Sequence, residues 1–362
     1  MRSLKISAFI YLLGVFLLQF YFFRSGVLQP SHIFILFSFF IILFKNGFPK
    51  NILKNKTYFN LVIFVIITLL INSFFSILYK NTDFIISSSY YIYGLIFTLV
   101  TITVLNINIK FKKNLSIILF FSLFTLVALW LIGLGAYEFS PRYNGFFNDP
   151  NQMAHWSLCV AVSIILLTKS TTLKYFTILL TFIIIIISMS RSGLVGLSFL
   201  ILGLFIPNKK NLPFILIGFI MVISLFSLTS FKKSLFLENY ENVINRFLET
   251  DFEEQADTRG YSRAKKYPEY LILGSGQGLD SRFHSDFEIH SSWMGILFYY
   301  GIFSLMFFVT TLLNLIFSLK IDNLLITLGP LVYGFSTFGI RTPVFWLLLG
   351  VLIYITNFKK FD

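Results

Sequence analysis

Long apolar runs follow one another along most of this sequence, separated by short polar segments. A helix that crosses a hydrocarbon core about 30 Å thick needs roughly 20 mainly apolar residues. The runs therefore predict an all-α polytopic integral membrane protein with about twelve transmembrane helices. Their predicted positions are 6–23, 27–44, 58–79, 84–105, 115–137, 151–168, 173–190, 192–206, 212–230, 291–317, 323–340 and 343–357.

One polar segment is much longer than the others and divides the chain. Residues 1–230 hold predicted helices 1–9 with short loops, residues 231–290 form one large loop, and residues 291–362 hold helices 10–12. The first apolar run has no small-residue cleavage site, so we interpret it as a span and not as a signal peptide. The eighth run is short for a bilayer, which predicts a tilted, extended or partly re-entrant helix.

The composition agrees with a membrane protein and excludes other classes. Hydrophobic residues make up 56% of the chain and charged residues 12%, against about 25% charged in soluble domains. The single cysteine, Cys159, lies in an apolar run, which excludes a disulfide framework and a thiolate metal cluster. The net charge of +13 does not indicate a nucleic-acid partner, because lysines that flank spans act as topology signals.

Basic residues are distributed unevenly between the two sides of the predicted membrane. If the N-terminus is cytoplasmic, 16 basic residues fall in inner segments and five in the short outer loops. Because cytoplasmic loops carry the excess of lysine and arginine, both termini are predicted to be cytoplasmic and segment 231–290 to lie outside. The kind of basic residue also differs, since eight of the nine arginines fall outside.

The arginines point to anion binding on the outer face. A planar guanidinium binds phosphate or carboxylate through paired hydrogen bonds, whereas a lysine ammonium acts as a mobile point charge. The alternative is that some arginines pair with the eleven acidic residues of segment 231–290.

Three arginines lie in short outer loops, at the edge of the apolar runs. Arg142 opens the polar segment 142–155, Arg191 separates two apolar runs with almost no loop, and Arg341 lies in the tight turn before Pro343. A charge this close to hydrocarbon is by default a functional candidate. For Arg191 the alternative is a side chain that extends from a tight hairpin to the interface.

The segment after Arg142 contains a helix-start signal. Asp149 followed by Pro150 predicts a capped helix. Asn151 and His155 are four residues apart and would share a helix face near the outer surface.

His290 lies where the long polar segment meets the next apolar run. A histidine at an interface can accept a proton near neutral pH, which suits a general base, and the alternative is a histidine that caps the helix. Arg259 and Arg263 are four residues apart and would also share a helix face.

The same segment contains a glycine-rich turn at Gly274, Gly276 and Gly278. Its backbone N–H groups could hold a phosphate, and the alternative is a plain flexible turn. No histidine or further ligand lies at metal-binding spacing from the acidic run 249–254, so no metal is expected.

Taken together, these motifs resemble the O-antigen ligase and polymerase superfamily. The spacing from His290 to Gly301 resembles the histidine signature of the ligases, with Ser304 at a last position that is usually Gly, Thr or Val. Segments 190–193 and 142–151 resemble other recurring segments of the superfamily, as does the glycine-rich turn.

The likeness covers residues 140–345 and implies a GT-C-like glycosyltransferase of the bacterial inner membrane that needs no metal and no cofactor. The implied donor is a glycan on undecaprenyl diphosphate, the acceptor is a sugar hydroxyl, and the reaction occurs on the periplasmic face. The implied partners are the lipid bilayer, a chain-length regulator and a flippase. His290 would orient or deprotonate the hydroxyl. The residues that would hold the diphosphate are Arg142, Arg191, Arg341, Arg259 or Arg263, and Asn151.

Within the superfamily, a short chain with divergent sequence around the motifs favours a repeat-unit polymerase over an O-antigen ligase, which transfers glycan to lipid A-core. An alternative from another class is a lipid-linked oligosaccharide transporter or flippase. Transporters usually carry ionisable groups near the bilayer midplane, whereas almost every charge here falls at the end of a span.

Overall fold

The computed structural model describes residues 2–23, 28–46, 50–107, 110–205, 257, 259–285 and 287–358. Helices and connecting turns make up these residues, which contain no β-strand and only two isolated bridges, within residues 136–145. The all-α prediction is confirmed for this part of the chain. The ninth predicted span, 212–230, and the acidic run 249–254 lie outside the described residues.

The described apolar runs fold as helices, and most bounds lie within a few residues of those predicted, but α1, α6 and α13 end six or seven residues before the predicted ends. The α-helices are α1 (Arg2–Leu17), α2 (Pro30–Asn46), α3 (Lys50–Leu53), α4 (Lys56–Tyr79), α5 (Asp83–Ile107), α6 (Lys110–Leu131), α7 (Pro150–Leu167), α8 (Thr171–Ser188), α9 (Arg191–Phe205), α10 (Ser262–Lys266), α11 (Tyr270–Leu273), α12 (Ser292–Ile316), α13 (Ile321–Tyr333) and α14 (Pro343–Ile353). Short 3-10 turns occupy Asp280–Phe283 and Gly339–Arg341, and a π-helical turn follows α14 at Tyr354–Phe358.

Six of the described helices are long and apolar enough to cross a membrane, namely α4, α5, α6, α7, α8 and α12. Helices α1, α2, α9, α13 and α14 are apolar but shorter. The chain is therefore an α-helical membrane protein, and the full count of twelve spans stays a prediction.

The short eighth span is α9, which packs closely along α13. A Cβ atom added to Gly329 would lie 2.6 Å from the Gly196 carbonyl oxygen, and one added to Gly203 would lie 2.7 Å from the Asp322 carbonyl oxygen. Small residues let helix backbones approach in membrane proteins, where dispersion contacts between helices replace the hydrophobic effect. The two short helices therefore pair with each other.

Helix α7 lies at the centre of the bundle, with 14 of its residues buried, from Pro150 to Ile165. It packs against α6, α8, α9, α13 and α14. The arginine-bearing turns meet at its N-terminal end. At the opposite end, the Lys112 ammonium lies 5.2 Å from the centre of the Tyr354 ring.

The described part of segment 231–290 folds onto the arginine end of the bundle. In the glycine-rich turn, the N–H groups of Ser275 and Gly276 donate to the Phe298 and Tyr299 carbonyls, at 3.0 and 2.8 Å. The N–H of Gln277 donates to Asn72 Oδ1 at 2.8 Å. These N–H groups are bonded within the protein, so neither a phosphate nest nor an open flexible turn describes the segment.

Helix α12 is broken where this turn packs against it. Gly301 has φ 74° and ψ 174°, outside the helical region, inside an otherwise continuous helix. A Cβ atom at this position would collide with the Ile272 carbonyl oxygen. Only glycine provides both this backbone conformation and this close approach.

Candidate functional site

The predicted start of α7 is confirmed and places Asn151 at the arginine end of the bundle. Asp149 is in extended conformation, and its Oδ1 accepts from the N–H groups of Asn151 and Gln152, at 2.5 and 3.3 Å. Pro150 occupies the first turn. The cap satisfies two N–H groups that have no partner within the helix.

Arg142 reaches from its loop to the ends of two helices. Its side chain is buried, and its Nε donates to the Ser188 carbonyl at 2.9 Å while Nη2 donates to Asn151 Oδ1 at 2.8 Å. Two predicted site residues, Arg142 and Asn151, are thus in direct contact. The guanidinium is held in one orientation at the point where α7 begins and α8 ends.

Arg191 and Arg259 bring two positive charges close together. Arg191 is the first residue of α9, and Arg259 lies in the turn before α10. Burial lowers the pKa of Arg259, the hydroxyls of Tyr261 and Tyr333 raise it, and the neighbouring Arg191 charge lowers it again. Like charges repel each other, and a bound anion would relieve that repulsion.

His290 is adjacent to Arg259. Its backbone N–H donates to the Arg259 carbonyl at 3.0 Å, and its side chain is exposed. The alternative that His290 caps the next helix is wrong, because Ser291 is the N-cap of α12 and its Oγ accepts from the Met294 N–H at 3.3 Å. The His290 imidazole is therefore exposed, next to the backbone of Arg259.

Arg341 belongs to a second group of polar residues at the same end. It forms an ion pair with Glu288, and its guanidinium lies 4.8 Å from the centre of the Tyr90 ring. Burial lowers the pKa of Arg341, but Glu288 and Tyr90 outweigh it and leave the pKa raised. Arg341 also interacts electrostatically with Tyr21.

Tyr21 connects this second group to the start of α7, because its hydroxyl accepts from Gln152 Nε2 at 2.9 Å. Helix α14 begins at Pro343 as predicted, but Thr342 does not cap it with its side chain. Its hydroxyl donates instead to the Gly339 carbonyl at 2.5 Å.

Arg263 lies apart from Arg259. The prediction that they share a helix face is wrong, because α10 begins only at Ser262. Arg263 is buried and donates to Asp280 Oδ1 and Ser285 Oγ, both at 2.5 Å, and to the Phe287 carbonyl. This geometry assigns Arg263 to holding together the described part of segment 231–290 and disfavours it as a diphosphate ligand.

A cavity of about 270 Å³ borders Arg263 and Tyr267. Its lining includes none of Arg142, Arg191 and Arg341. The predicted arginines therefore share one end of the bundle but not this cavity.

Sequence reasoning missed the tyrosine that links the first arginine group. The Tyr333 hydroxyl, at the end of α13, donates to the Asn151 carbonyl at 2.9 Å and lies 2.7 Å from Ser190 Oγ. It also interacts electrostatically with Arg142 and Arg259. Nothing in the apolar run around Tyr333 distinguishes this tyrosine from the others, whereas Ser190 lies in a segment already singled out.

His155 lies one turn below Asn151 on α7, as the spacing predicts, but it is buried. Its ring centre is 5.4 Å from that of Tyr333, and its Nε2 lies 3.7 Å from Cys159 Sγ. Its position is therefore beneath the arginine group and not at the surface.

No protein-family model matches this chain, and no curated protein matches it in sequence. Among the residues that the structure describes, no group of three or more His, Cys, Asp or Glu side chains could hold a metal ion. The functional argument therefore depends on the motifs and on the arrangement of the arginines.

Proposed function

We propose that this chain is a surface-polysaccharide polymerase that joins oligosaccharide repeat units carried on undecaprenyl diphosphate, at the periplasmic face of the bacterial inner membrane. One observation carries the proposal. Arg142 and Arg259 interact electrostatically with Tyr333, and Arg191 follows Ser190, whose Oγ lies 2.7 Å from the Tyr333 hydroxyl, at the end of the bundle where residues 259–285 pack. Guanidinium groups match the charge and hydrogen-bonding geometry of a diphosphate.

The proposed reaction is a glycosyl transfer. An acceptor sugar hydroxyl forms a bond to C1 of the donor sugar, while the bond from C1 to the diphosphate oxygen breaks and the lipid diphosphate leaves with the electron pair. Arg142, Arg191 and Arg259 stabilise the charge that develops on the leaving group. His290 accepts the hydroxyl proton and passes it to solvent. Arg341 lies at the same end, where its ion pair with Glu288 offsets its charge.

The distribution of charge supports an enzyme over a transporter. In the described apolar helices, every Asp, Glu, Lys and Arg lies in the first or last turn. A transporter for a charged lipid would be expected to carry ionisable groups deeper in the membrane. The arginines therefore suit chemistry at one surface.

The histidine signature does not by itself favour a ligase. In the structure its spacing corresponds to one helical segment, from the N-cap at Ser291 to the break at Gly301. The spacing therefore coincides with a structural feature of α12 and does not separate a ligase from a polymerase.

Deletion of the gene, with separation of surface polysaccharide on a gel, tests the proposal. A polymerase deletion leaves a single repeat unit attached to core, and a plasmid-borne copy restores the ladder. Polymer that accumulates on undecaprenol without reaching core identifies a ligase instead. An unchanged ladder excludes both activities.

A further inference from the structure

A closed ring of hydrogen bonds surrounds the start of α7. Arg142 Nη2 donates to Asn151 Oδ1 at 2.8 Å, and Tyr333 donates to the Asn151 carbonyl at 2.9 Å. The Tyr333 hydroxyl lies 2.7 Å from Ser190 Oγ. Arg142 Nε donates to the Ser188 carbonyl at 2.9 Å, and Ser188 is two residues from Ser190, which closes the ring.

The direction of each hydrogen bond follows from the chemistry of the groups. A carbonyl oxygen only accepts, so the single hydroxyl proton of Tyr333 goes to Asn151. The Ser190 hydroxyl must then donate to the Tyr333 oxygen. Ser190 Oγ also accepts from the Gly193 N–H at 3.2 Å, in the first turn of α9. Tyr333 therefore accepts from the start of α9 and donates to the start of α7.

The ring encloses a strained turn. Met189 lies between the two serines with φ 50° and ψ 40°, in the left-handed region. A non-glycine residue is strained in that region and persists there when its surroundings hold it in place. Here the ring bonds Ser188 and Ser190, the residues on either side of Met189. Arg191 is the next residue after Ser190. The position of Arg191 is thus coupled to the same contacts that hold Arg142.

We propose that Tyr333 is a positioning residue, whose hydroxyl fixes the separation of Arg142 and Arg191 so that both contact one diphosphate. The inference rests on the proposed function. Tyr333 is itself 1% exposed, with its ring beside His155, so it acts through the arginines and does not touch the substrate. A misplacement of about 1 Å can cost about 10²-fold in rate, so the loss of one hydroxyl can be large.

The test compares Tyr333→Phe with Tyr11→Phe in purified protein that elongates lipid-linked repeat units. Tyr11 is a matched control, because its buried hydroxyl lies 2.8 Å from Thr101 Oγ1, between α1 and α5. Tyr333→Phe should lower kcat about 10-fold or more with little change in KM, and Tyr11→Phe should leave kcat within about 2-fold. Ser190→Ala opens the same ring and should lower kcat comparably. Thermal melts identify any variant that fails to fold.

A second arm measures coupling. If Tyr333 acts by placing Arg191, the Tyr333→Phe change should have little further effect in an Arg191→Lys background, because interacting residues are non-additive. Independent, multiplying losses would overturn the inference, and so would equal kcat values for Tyr333→Phe and Tyr11→Phe. Wild-type activity of Arg191→Lys would instead count against the proposed diphosphate site itself.

Discussion

At the scale of single residues, the structure divides the outer arginines into different tasks. Arg263 is buried in contacts with Asp280 and Ser285 and stabilises the outer segment. Arg282 has its guanidinium within 4.9 Å of the Phe84 ring centre and donates to the Gly276 carbonyl, which fixes the glycine-rich turn. Residue type alone left open whether each arginine binds an anion or pairs with an acidic residue of segment 231–290. The kind of partner differs, because Arg263 pairs with a carboxylate, whereas Arg142 donates to the Ser188 carbonyl and to Asn151 Oδ1.

His290 and His284 offer a matched pair at the same scale. Both side chains are exposed in the outer segment, but only His290 adjoins Arg259. His290→Asn should lower turnover by about 10²-fold or more, since a positioned general base contributes about 10²–10⁴-fold. His284→Asn should leave turnover unchanged, because asparagine tolerates the left-handed backbone at that position, where φ is 54°.

The measurement is initial rate under saturating lipid-linked substrate. Equal rates for the two histidine variants would remove His290 from the mechanism. They would leave the arginine site to be tested on its own.

At the scale of elements, the apolar pattern located the helices well. The predicted run 151–168 is α7 at Pro150–Leu167, and 173–190 is α8 at Thr171–Ser188.

The break in α12 was not predictable, because Gly301 lies in a continuous apolar stretch and the cause of the break is a turn far away in the chain. The ring through Tyr333 was also hidden, since it joins residues 182 apart in sequence.

The break in α12 predicts a specific cost for Gly301→Ala. Its control is Gly133→Ala, because Gly133 has φ 76°, close to the 74° of Gly301, but a Cβ atom there would meet nothing within 4 Å. Gly133→Ala should cost about 1–2 kcal/mol for its positive φ alone. Gly301→Ala adds a collision with the Ile272 carbonyl. It should therefore lower the midpoint of thermal unfolding in detergent by clearly more than Gly133→Ala does.

Equal melting midpoints for the two alanine variants would contradict this description of the break. Such a result would mean that the turn and α12 do not pack as closely as the structure shows.

At the scale of the whole molecule, Arg142, Arg191 and Arg341 lie at one end of the described bundle and most of the described lysines lie at the other, with Lys80, Lys265 and Lys266 as exceptions. The predicted orientation places the arginine end outside the cell.

A labelling experiment tests this orientation. Ser281→Cys lies at the arginine end and Ser318→Cys at the other, and both positions are exposed. The native Cys159 is buried and should not react with a membrane-impermeant maleimide. In intact spheroplasts, Ser281→Cys should be labelled and Ser318→Cys should be protected, and the reverse pattern would overturn the proposed orientation.

The central claim is that guanidinium groups at this end hold a lipid diphosphate during glycosyl transfer. The most direct measurement adds undecaprenyl-diphosphate-linked repeat units to the purified protein and resolves the products by size. The wild type should yield a ladder spaced by one repeat unit. Arg191→Lys keeps the charge but loses the paired hydrogen bonds, and it should slow elongation by about 10²–10³-fold. Lys80→Arg, at an exposed position of the same end, should elongate like the wild type. No ladder from the wild type, or an equal ladder from Arg191→Lys, would contradict the account.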